Sequence, residues 1–160
     1  MLRTLASRSL RSASRVPFTR GYADAAVSAD KIQLTLALPT KILFDKSEVT
    51  QVNLPTTAGN IGVLASHVPT IEELVPGVVD VIDGSETKSY FVAGGFASVS
   101  EGSLLKVNAI EASPLEDFSA AEAKSLLAEA QKNAASSDEA TATQAKIEVE
   151  VLEALAAVAK

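Results

Sequence analysis

The spacing of apolar residues changes at Pro114, and this change limits the folds open to the chain. From Lys31 to Ala112, apolar residues tend to alternate with polar ones, as in half-buried β-strands. The clearest run is Ile32, Leu34, Leu36 and Leu38. Turn signals separate the short segments, at Asp83-Gly84, Gly94-Gly95 and Glu101-Gly102. Residues 31–113 are therefore predicted to form an antiparallel β-sandwich or flattened barrel.

After Pro114 glycine is absent, alanine is frequent, and apolar residues recur at helical spacing. Residues 114–160 are predicted to form an antiparallel two-helix hairpin, which makes the whole chain a segregated α+β protein. Ser119 with Glu122 and Ser136 with Glu139 have the spacing of capping boxes at the two helix starts. The hairpin is expected to pack through Leu126, Leu127, Ile147, Val151 and Leu155. Alanine-rich faces bury little area, so the hairpin should depend on docking to the β-domain or to a partner.

The first 22 residues differ from the rest because they contain five arginines, several serines and no acidic residue. This composition is typical of a mitochondrial transit peptide, and we expect cleavage between Tyr22 and Ala23. Residues 23–30 would then form a flexible segment ahead of the β-domain. The alternative interpretation of residues 1–22 is a basic arm that binds nucleic acid.

The charge of the predicted mature chain argues against a nucleic-acid partner. Without residues 1–22, nine lysines face twenty acids, for a net charge of −11, and no arginine remains. Arginine is the usual clamp for phosphate, so an acidic chain without it is a poor nucleic-acid binder. The absence of cysteine excludes disulfides and thiolate chemistry. No apolar run approaches the length of about 20 residues that spans a bilayer.

The single histidine, His67, is the first candidate for a catalytic or ligand-binding residue. The chain lacks the phosphate-binding P-loop pattern and the nucleophile-elbow pattern of hydrolases. One histidine without converging ligands is weak support for a metal. Catalytic, cofactor-binding and metal-binding residues are therefore all predicted to be absent, and His67 is expected to have a structural or interface role.

The stretches "VNLPTTAGNIGVLASHVPTIEELVPG" and "YFVAGGFASV", followed by the alanine-rich helical pair, resemble the delta subunits of mitochondrial F-type ATP synthase. These are the counterparts of the bacterial and chloroplast epsilon subunits. The resemblance covers essentially the whole chain after residue 22. It implies a ten-stranded β-sandwich, with the "YFVAGGFASV" stretch as a hairpin, and a two-helix hairpin behind it.

The resemblance also implies a noncatalytic part of the rotor. Its partners would be the gamma subunit, the small mitochondrial epsilon subunit and the c-ring, on the matrix side of the inner membrane, so that proton-driven rotation reaches the catalytic head. One departure concerns nucleotide binding: bacterial relatives that bind ATP have arginines in the hairpin, whereas this hairpin has none. No ATP binding is expected.

A docking surface is expected at "GNIGVLASHVPT", residues 59–70, which we call the docking segment. Its contacts with the c-ring and stalk are assigned to Gly59, Asn60, Gly62, Ser66, His67, Val68 and Pro69. Ile61, Val63 and Leu64 are expected to anchor it to the sandwich.

Two other classes of function stay open at this level. The first is a matrix β-sandwich adaptor outside ATP synthase, which would not co-purify with a membrane complex. The second is a small enzyme, whose turnover would depend on His67.

Overall fold

The computed structural model describes residues 30–136 and 138–159. The first part of this range forms ten strands, followed by a short 3-10 turn at Leu115–Asp117 and two helices. The strands are β1 Ile32–Ala37, β2 Ile42–Val49, β3 Gln51–Thr56, β4 Gly59–Leu64, β5 Thr70–Leu74, β6 Gly77–Asp83, β7 Glu86–Val92, β8 Gly95–Ser100, β9 Leu104–Ala109 and β10 Ala112–Pro114. The helices are α1 Ala120–Ala134 and α2 Glu139–Val158.

The strands form one sheet in the order β10-β7-β6-β3-β5-β8-β9-β1-β2, with β4 paired to β3 beside this path. Only one residue pair, Thr56 with Leu74, joins β3 to β5, so the sheet can fold over at this point. Its two ends face each other, because the rings of Phe44 on β2 and Tyr90 on β7 meet edge to face, 5.6 Å apart. The result is the predicted flattened sandwich.

The alternating residues of the sequence form the interior of the sandwich. Ile32, Leu34 and Leu36 on β1 are at most 1% exposed, and they pack with buried residues from the other strands. Burial of each such side chain stabilises the fold by about 1.5–3 kcal/mol. The prediction of a β-sandwich with a helical hairpin behind it is therefore confirmed.

Two details of strand pairing differ from expectation. β1 pairs in parallel with β9, although an all-antiparallel sheet was expected. Alternation specifies which face is buried but not the direction of the neighbouring strand. The "YFVAGGFASV" stretch is not a hairpin, because β7 pairs with β6 and β10 whereas β8 pairs with β5 and β9. Gly94 and Gly95, both at φ +143°, connect the two halves of the sheet.

Both predicted capping boxes are wrong, although the helices begin close to them. Ser119 is the N-cap of α1, but its side chain makes no capping bond. The N-cap of α2 is Asp138, whose carboxylate accepts a hydrogen bond from the Thr141 amide over 3.1 Å. A carboxylate accepts this bond as well as a serine hydroxyl does and also favours the positive end of the helix dipole.

The hairpin packs on the outer side of β7 through a second, smaller core. Phe91, Ala123 and Leu155 are its buried members, and the rings of Phe91 and Phe118 meet edge to face at 5.7 Å. Neither described helix is long and apolar enough to cross a membrane. The predicted transit peptide and its cleavage site at Tyr22 and Ala23 lie outside the described residues.

Candidate functional site

The docking segment forms an edge strand and the loop that follows it. Thr57 and Ala58 join β3 to β4, and Gly59 adopts φ +113°, a conformation that favours glycine. The hydroxyl of Thr56 donates to the Gly59 carbonyl over 2.6 Å, which fixes the start of the strand. At Gly62 an added Cβ would lie 3.3 Å from the side chains of Gln51 and Asn53, so a larger residue would crowd them.

The loop after β4 is held by hydrogen bonds at Ser66 and His67. Ser66 has φ +60°, and its amide lies 3.0 Å from the hydroxyl oxygen of Ser103, to which it donates. The His67 amide donates to the Leu64 carbonyl over 3.2 Å. The His67 ring places Nδ1 2.8 Å from the Val68 carbonyl oxygen. A carbonyl oxygen only accepts, so Nδ1 is the donor in this contact.

The residues assigned to contacts are mostly accessible. Gly59, Asn60, Gly62, Ser66 and Pro69 are exposed, Val68 is 71% exposed, and His67 is half-buried. Of the three expected anchors, Val63 is fully buried and Ile61 is partly buried against the core. The expectation for Leu64 is wrong, because this side chain is 49% exposed. It lies two residues from Gly62, on the same outward-facing side of β4.

A second surface was missed by the sequence reasoning. Ile71 on β5 is 76% exposed, Phe96 on β8 is 58% exposed, and Ile110 just after β9 is 69% exposed. The strand registers put these three side chains on the outer side of the sheet; we call this surface the apolar face. The sequence does contain a sign of this surface. Ala97 and Val99 alternate as buried residues, so Phe96 falls at a position that the alternation assigns to solvent, although its ring is large and apolar.

The residues expected to pack the hairpin are divided between its core and a groove. Leu155 is buried, and Leu127 and Val151 are partly buried. Leu126 and Ile147 are 52% and 64% exposed. They line a groove of about 530 Å³ between the two helices and the sheet, whose rim includes Glu111, Glu129 and Glu148. The buried residues of the helices besides Leu155 are instead Ala123, Ala130 and Ala145, small side chains of the kind that let packed helices approach closely.

The docking segment offers polar groups that suit binding to another protein. Within residues 30–136 and 138–159, no three histidine, cysteine or acidic side chains are grouped to hold a metal. The polar side chains of the docking segment include the exposed amide of Asn60, the exposed hydroxyl of Ser66 and the half-buried imidazole of His67. Such groups form hydrogen bonds at a protein surface without a large cost of desolvation.

Comparison with known proteins gives two family matches. Residues 31–113 match the model of the ATP synthase delta/epsilon chain β-sandwich domain. Residues 118–157 match the model of the C-terminal domain of the fungal epsilon subunit of F1F0-ATP synthase. Together the two models cover most of the chain after its N-terminal segment.

Individual relatives agree with these matches. The chain is 52% identical to the mitochondrial ATP synthase subunit delta of Saccharomyces cerevisiae over 160 residues, which is 100% of both chains. It is 62% identical to the corresponding subunit of Yarrowia lipolytica over 142 residues, covering 88% of this chain and 87% of the relative. These relatives are mitochondrial proteins, and the chain is assigned to the same organelle.

Solved structures agree as well. A chain of the Euglena gracilis mitochondrial ATP synthase, in an OSCP/F1/c-ring structure, superposes with a TM-score of 0.76 at 33% identity, covering 85% of each chain. A chain from the central stalk and c-ring of Tetrahymena thermophila ATP synthase shares the fold, with a TM-score of 0.57 at 15% identity over 81% of this chain and 97% of that one. From the matched domains and the full-length identity, the chain belongs to the delta/epsilon chain family of ATP synthase.

Proposed function

We propose that this chain is the noncatalytic central-stalk subunit of mitochondrial F1Fo ATP synthase that links the gamma subunit and the small epsilon subunit to the c-ring. The observation that supports this most strongly is the 52% identity to a mitochondrial delta subunit over the full length of both chains. A matrix adaptor outside ATP synthase is not favoured, because the relatives are ATP synthase subunits. An enzyme dependent on His67 is not favoured either, since the matched family and relatives are subunits of ATP synthase.

The docking segment is the proposed contact with the loops of the c-ring. Asn60, Ser66 and His67 offer donors and acceptors, and the Ser103 hydroxyl holds the loop in place before binding. A preorganised loop loses less conformational entropy when it binds. Pro69 stiffens the loop further because its φ is fixed.

The apolar face is the proposed contact with the gamma subunit. Three large side chains, Ile71, Phe96 and Ile110, project from one side of the sheet. Grouped exposed apolar residues on a soluble protein usually mark a protein interface. The helical hairpin packs on β7 in the other half of the sheet, and none of these three residues belongs to its small core. One partner can therefore contact the sheet without displacing the helices.

The groove between the helices is the proposed contact with the small epsilon subunit. Leu126 and Ile147 are exposed in it, and the rim carries the carboxylates of Glu111, Glu129 and Glu148. An amphipathic helix with basic residues beside its apolar stripe would bury Leu126 and Ile147. Its basic residues would lie next to the carboxylates at the rim of the groove.

Affinity purification tests the function. A tagged form of the full chain, expressed in mitochondria and purified from solubilised inner membranes, should retain gamma, epsilon and c subunits in fixed ratio. Recovery of the tagged chain free of these subunits would contradict the rotor assignment.

Calorimetry of the mature chain with Mg-ATP should give no isotherm in the micromolar range, because arginine is absent from the hairpin.

The docking segment is tested by Asn60→Ala and His67→Ala, singly and together. Asn60 is exposed and His67 is half-buried outside the core, so the folded state should be kept while retention on the ring weakens by about 1 kcal/mol or more. Urea unfolding of each variant is the control. Unfolding without a specific loss of ring binding would make His67 a structural residue, and no effect on binding would remove the segment from the interface.

Import is tested by sequencing the N-terminus of the subunit isolated from mitochondria. A start at Ala23 is expected, because all five arginines precede that bond. A chain that keeps these arginines would contradict the transit-peptide interpretation.

A further inference from the structure

The sheet has three edge strands, β2, β10 and β4, and they differ in how well they are protected against pairing with another chain. β2 has two register irregularities against β1 and a lysine, Lys46, at φ +48°. β10 is three residues long and ends in Pro114. Bulges, lysine, short length and proline are the common devices that prevent an exposed strand from pairing.

β4 has none of these devices. It pairs with β3 in continuous register over six residues, from Thr56 with Gly59 to Gln51 with Leu64. Its sequence, "GNIGVL", contains no proline and no charged residue. Within the described residues, no second strand pairs with β4. Asn60 and Gly62 are exposed, and Gly62 has no side chain that would obstruct an approaching chain.

The direction of the backbone groups of β4 follows from Pro55. Pro55 has no N–H and lies opposite Asn60, so this pair cannot exchange the usual two hydrogen bonds. The Pro55 carbonyl also points away from β4, since it accepts from the Val75 amide over 3.1 Å. By alternation, the backbone N–H and C=O groups of Asn60 and Gly62 point away from β3. The Leu64 carbonyl is used by the His67 amide, which leaves the Leu64 N–H as the last outward donor of the strand.

We infer that this free edge of β4, at Asn60, Gly62 and Leu64, binds an extended segment of a rotor partner as an added β-strand. The inference rests on the proposed rotor function, because the edge is part of the docking segment and is continuous with the proposed contact at Ser66 and His67. An extended peptide is the occupant that fits, since only another strand presents donors and acceptors at the matching spacing. Recognition then depends on the backbone of the edge more than on its side chains.

Two substitutions of Asn60 distinguish recognition through the backbone from recognition through the side chain. Asn60→Pro removes the outward N–H, and proline is tolerated where the N–H of an edge strand faces solvent. Asn60→Ala keeps that N–H and removes only the side-chain amide. Both variants are assembled with a gamma–epsilon–c-ring complex depleted of this subunit, and urea unfolding of each variant checks its fold. We expect the proline variant to bind at least about tenfold more weakly than the alanine variant.

Hydrogen exchange in the unmutated chain gives a second test that does not depend on a variant. When the chain joins the same gamma–epsilon–c-ring complex, the amides of Asn60, Gly62 and Leu64 should gain protection together. Those of Ile61 and Val63, which point toward β3, should change little. An interface made through side chains alone would form no hydrogen bonds to the three outward amides and would leave their exchange nearly unchanged.

These experiments distinguish failure of the strand-addition inference from failure of the proposed rotor function. Unmutated protein that does not join the complex at all contradicts the proposed function. Binding that Asn60→Ala weakens as much as Asn60→Pro, or protection without alternation, overturns strand addition while leaving the interface in place. A dimer of the free chain that Asn60→Pro abolishes, detected by sedimentation, would make a second copy the occupant and would also overturn the inference.

Discussion

The β-domain and the helical hairpin achieve burial in different ways. All ten of the largest fully buried side chains lie in strands, and they are leucines, isoleucine and valines. The buried residues of the two helices are three alanines and Leu155. Because hydrophobic stabilisation scales with buried apolar area, the sheet supplies most of the stability. The hairpin is held through a small core that it shares with Phe91 of the sheet.

Because of this difference, we expect the β-domain to be rigid and the helical hairpin to open more easily. The docking segment and the apolar face both belong to the sheet domain, where flanking core residues fix their geometry. The groove with Leu126 and Ile147 belongs to the hairpin, where few large side chains hold the helices. Regions with few buried contacts open at lower free energy than the core. We therefore expect the partner of the groove to stabilise the hairpin when it binds.

The largest effect is expected from Gly95→Ala in the sheet. A Cβ at this position would lie 2.2 Å from the Asn108 carbonyl oxygen, and φ is +143°. The backbone of β8 or β9 must shift, so the free energy of unfolding should fall by more than about 4 kcal/mol. Urea unfolding followed by circular dichroism measures this. Gly102→Ala is the matched control, since nothing lies within 4 Å of its Cβ position, although its φ of +81° still adds some strain. Equal effects at the two glycines would contradict the argument from close approach.

A smaller but still large loss is expected from Leu105→Ala. Leu105 is 0% exposed in the sheet core, so the substitution should lower the free energy of unfolding by about 3 kcal/mol. Leu126→Ala, at 52% exposure in the hairpin, should change it by less than about 1 kcal/mol. Thermal unfolding of both variants compares the two regions directly. A larger loss at Leu126 would reverse the proposed order of stability.

The sequence was sufficient for the parts of this comparison that depend on periodicity. The alternation of Ile32, Leu34 and Leu36 and the helical spacing after Pro114 both predict which elements form. The pairing of strands was harder to predict from the sequence. Nothing local in β1 indicates that it lies parallel to β9, because that contact joins residues far apart in sequence. The helix start at Asp138 was missed because serine and aspartate cap about equally well, and the predicted cap Ser136 lies only two residues before Asp138.

The candidate site was predicted only in part, for a similar reason. Gly59, Asn60, Gly62 and Pro69 are recognisable as a turn-rich, exposed stretch from residue type alone. The exposure of Ile71, Phe96 and Leu64 is set by strand register and by the edge position of β4. Leu126 and Ile147 fit the apolar stripe of a helix, but whether such a stripe meets the sheet or a groove depends on how the helices are placed.

A moderate and local effect is expected from Phe91→Ala, which alters the junction between the two regions. The Phe91 ring contacts Phe118, and Phe91 is 5% exposed. Loss of this ring should lower the free energy needed to open the hairpin from the sheet by about 2 kcal/mol. Amides of α1 and α2 should then exchange faster with solvent, while those of β8 and β9 keep their protection. Phe96→Ala, which removes an exposed ring from the apolar face, is the control and should leave the helices unchanged. Equal acceleration in sheet and helices would show that the junction is not local.

The smallest effect is expected from Asp138→Ala at the start of α2. The hydroxyl and the backbone N–H of Thr141 donate to the Asp138 carboxylate and hold its pKa below the ordinary value. A lowered pKa means that the stabilisation is present at neutral pH and disappears as the pH falls through the acid range. The variant should therefore melt slightly earlier than the parent at pH 7, and the difference should disappear as the pH falls through the acid range. A difference that persists in acid would contradict the assigned cause.

Residue-level native-state hydrogen exchange of the free, full mature chain tests the central claim most directly, namely that the sheet is the stable platform and the hairpin depends on it. Opening free energies are measured for amides in β1, β8 and β9 and for amides in α1 and α2. The account predicts that the strand amides exchange only through global unfolding, whereas the helix amides exchange through openings of clearly lower free energy. Helices that exchange with the same free energy as the core strands would contradict it.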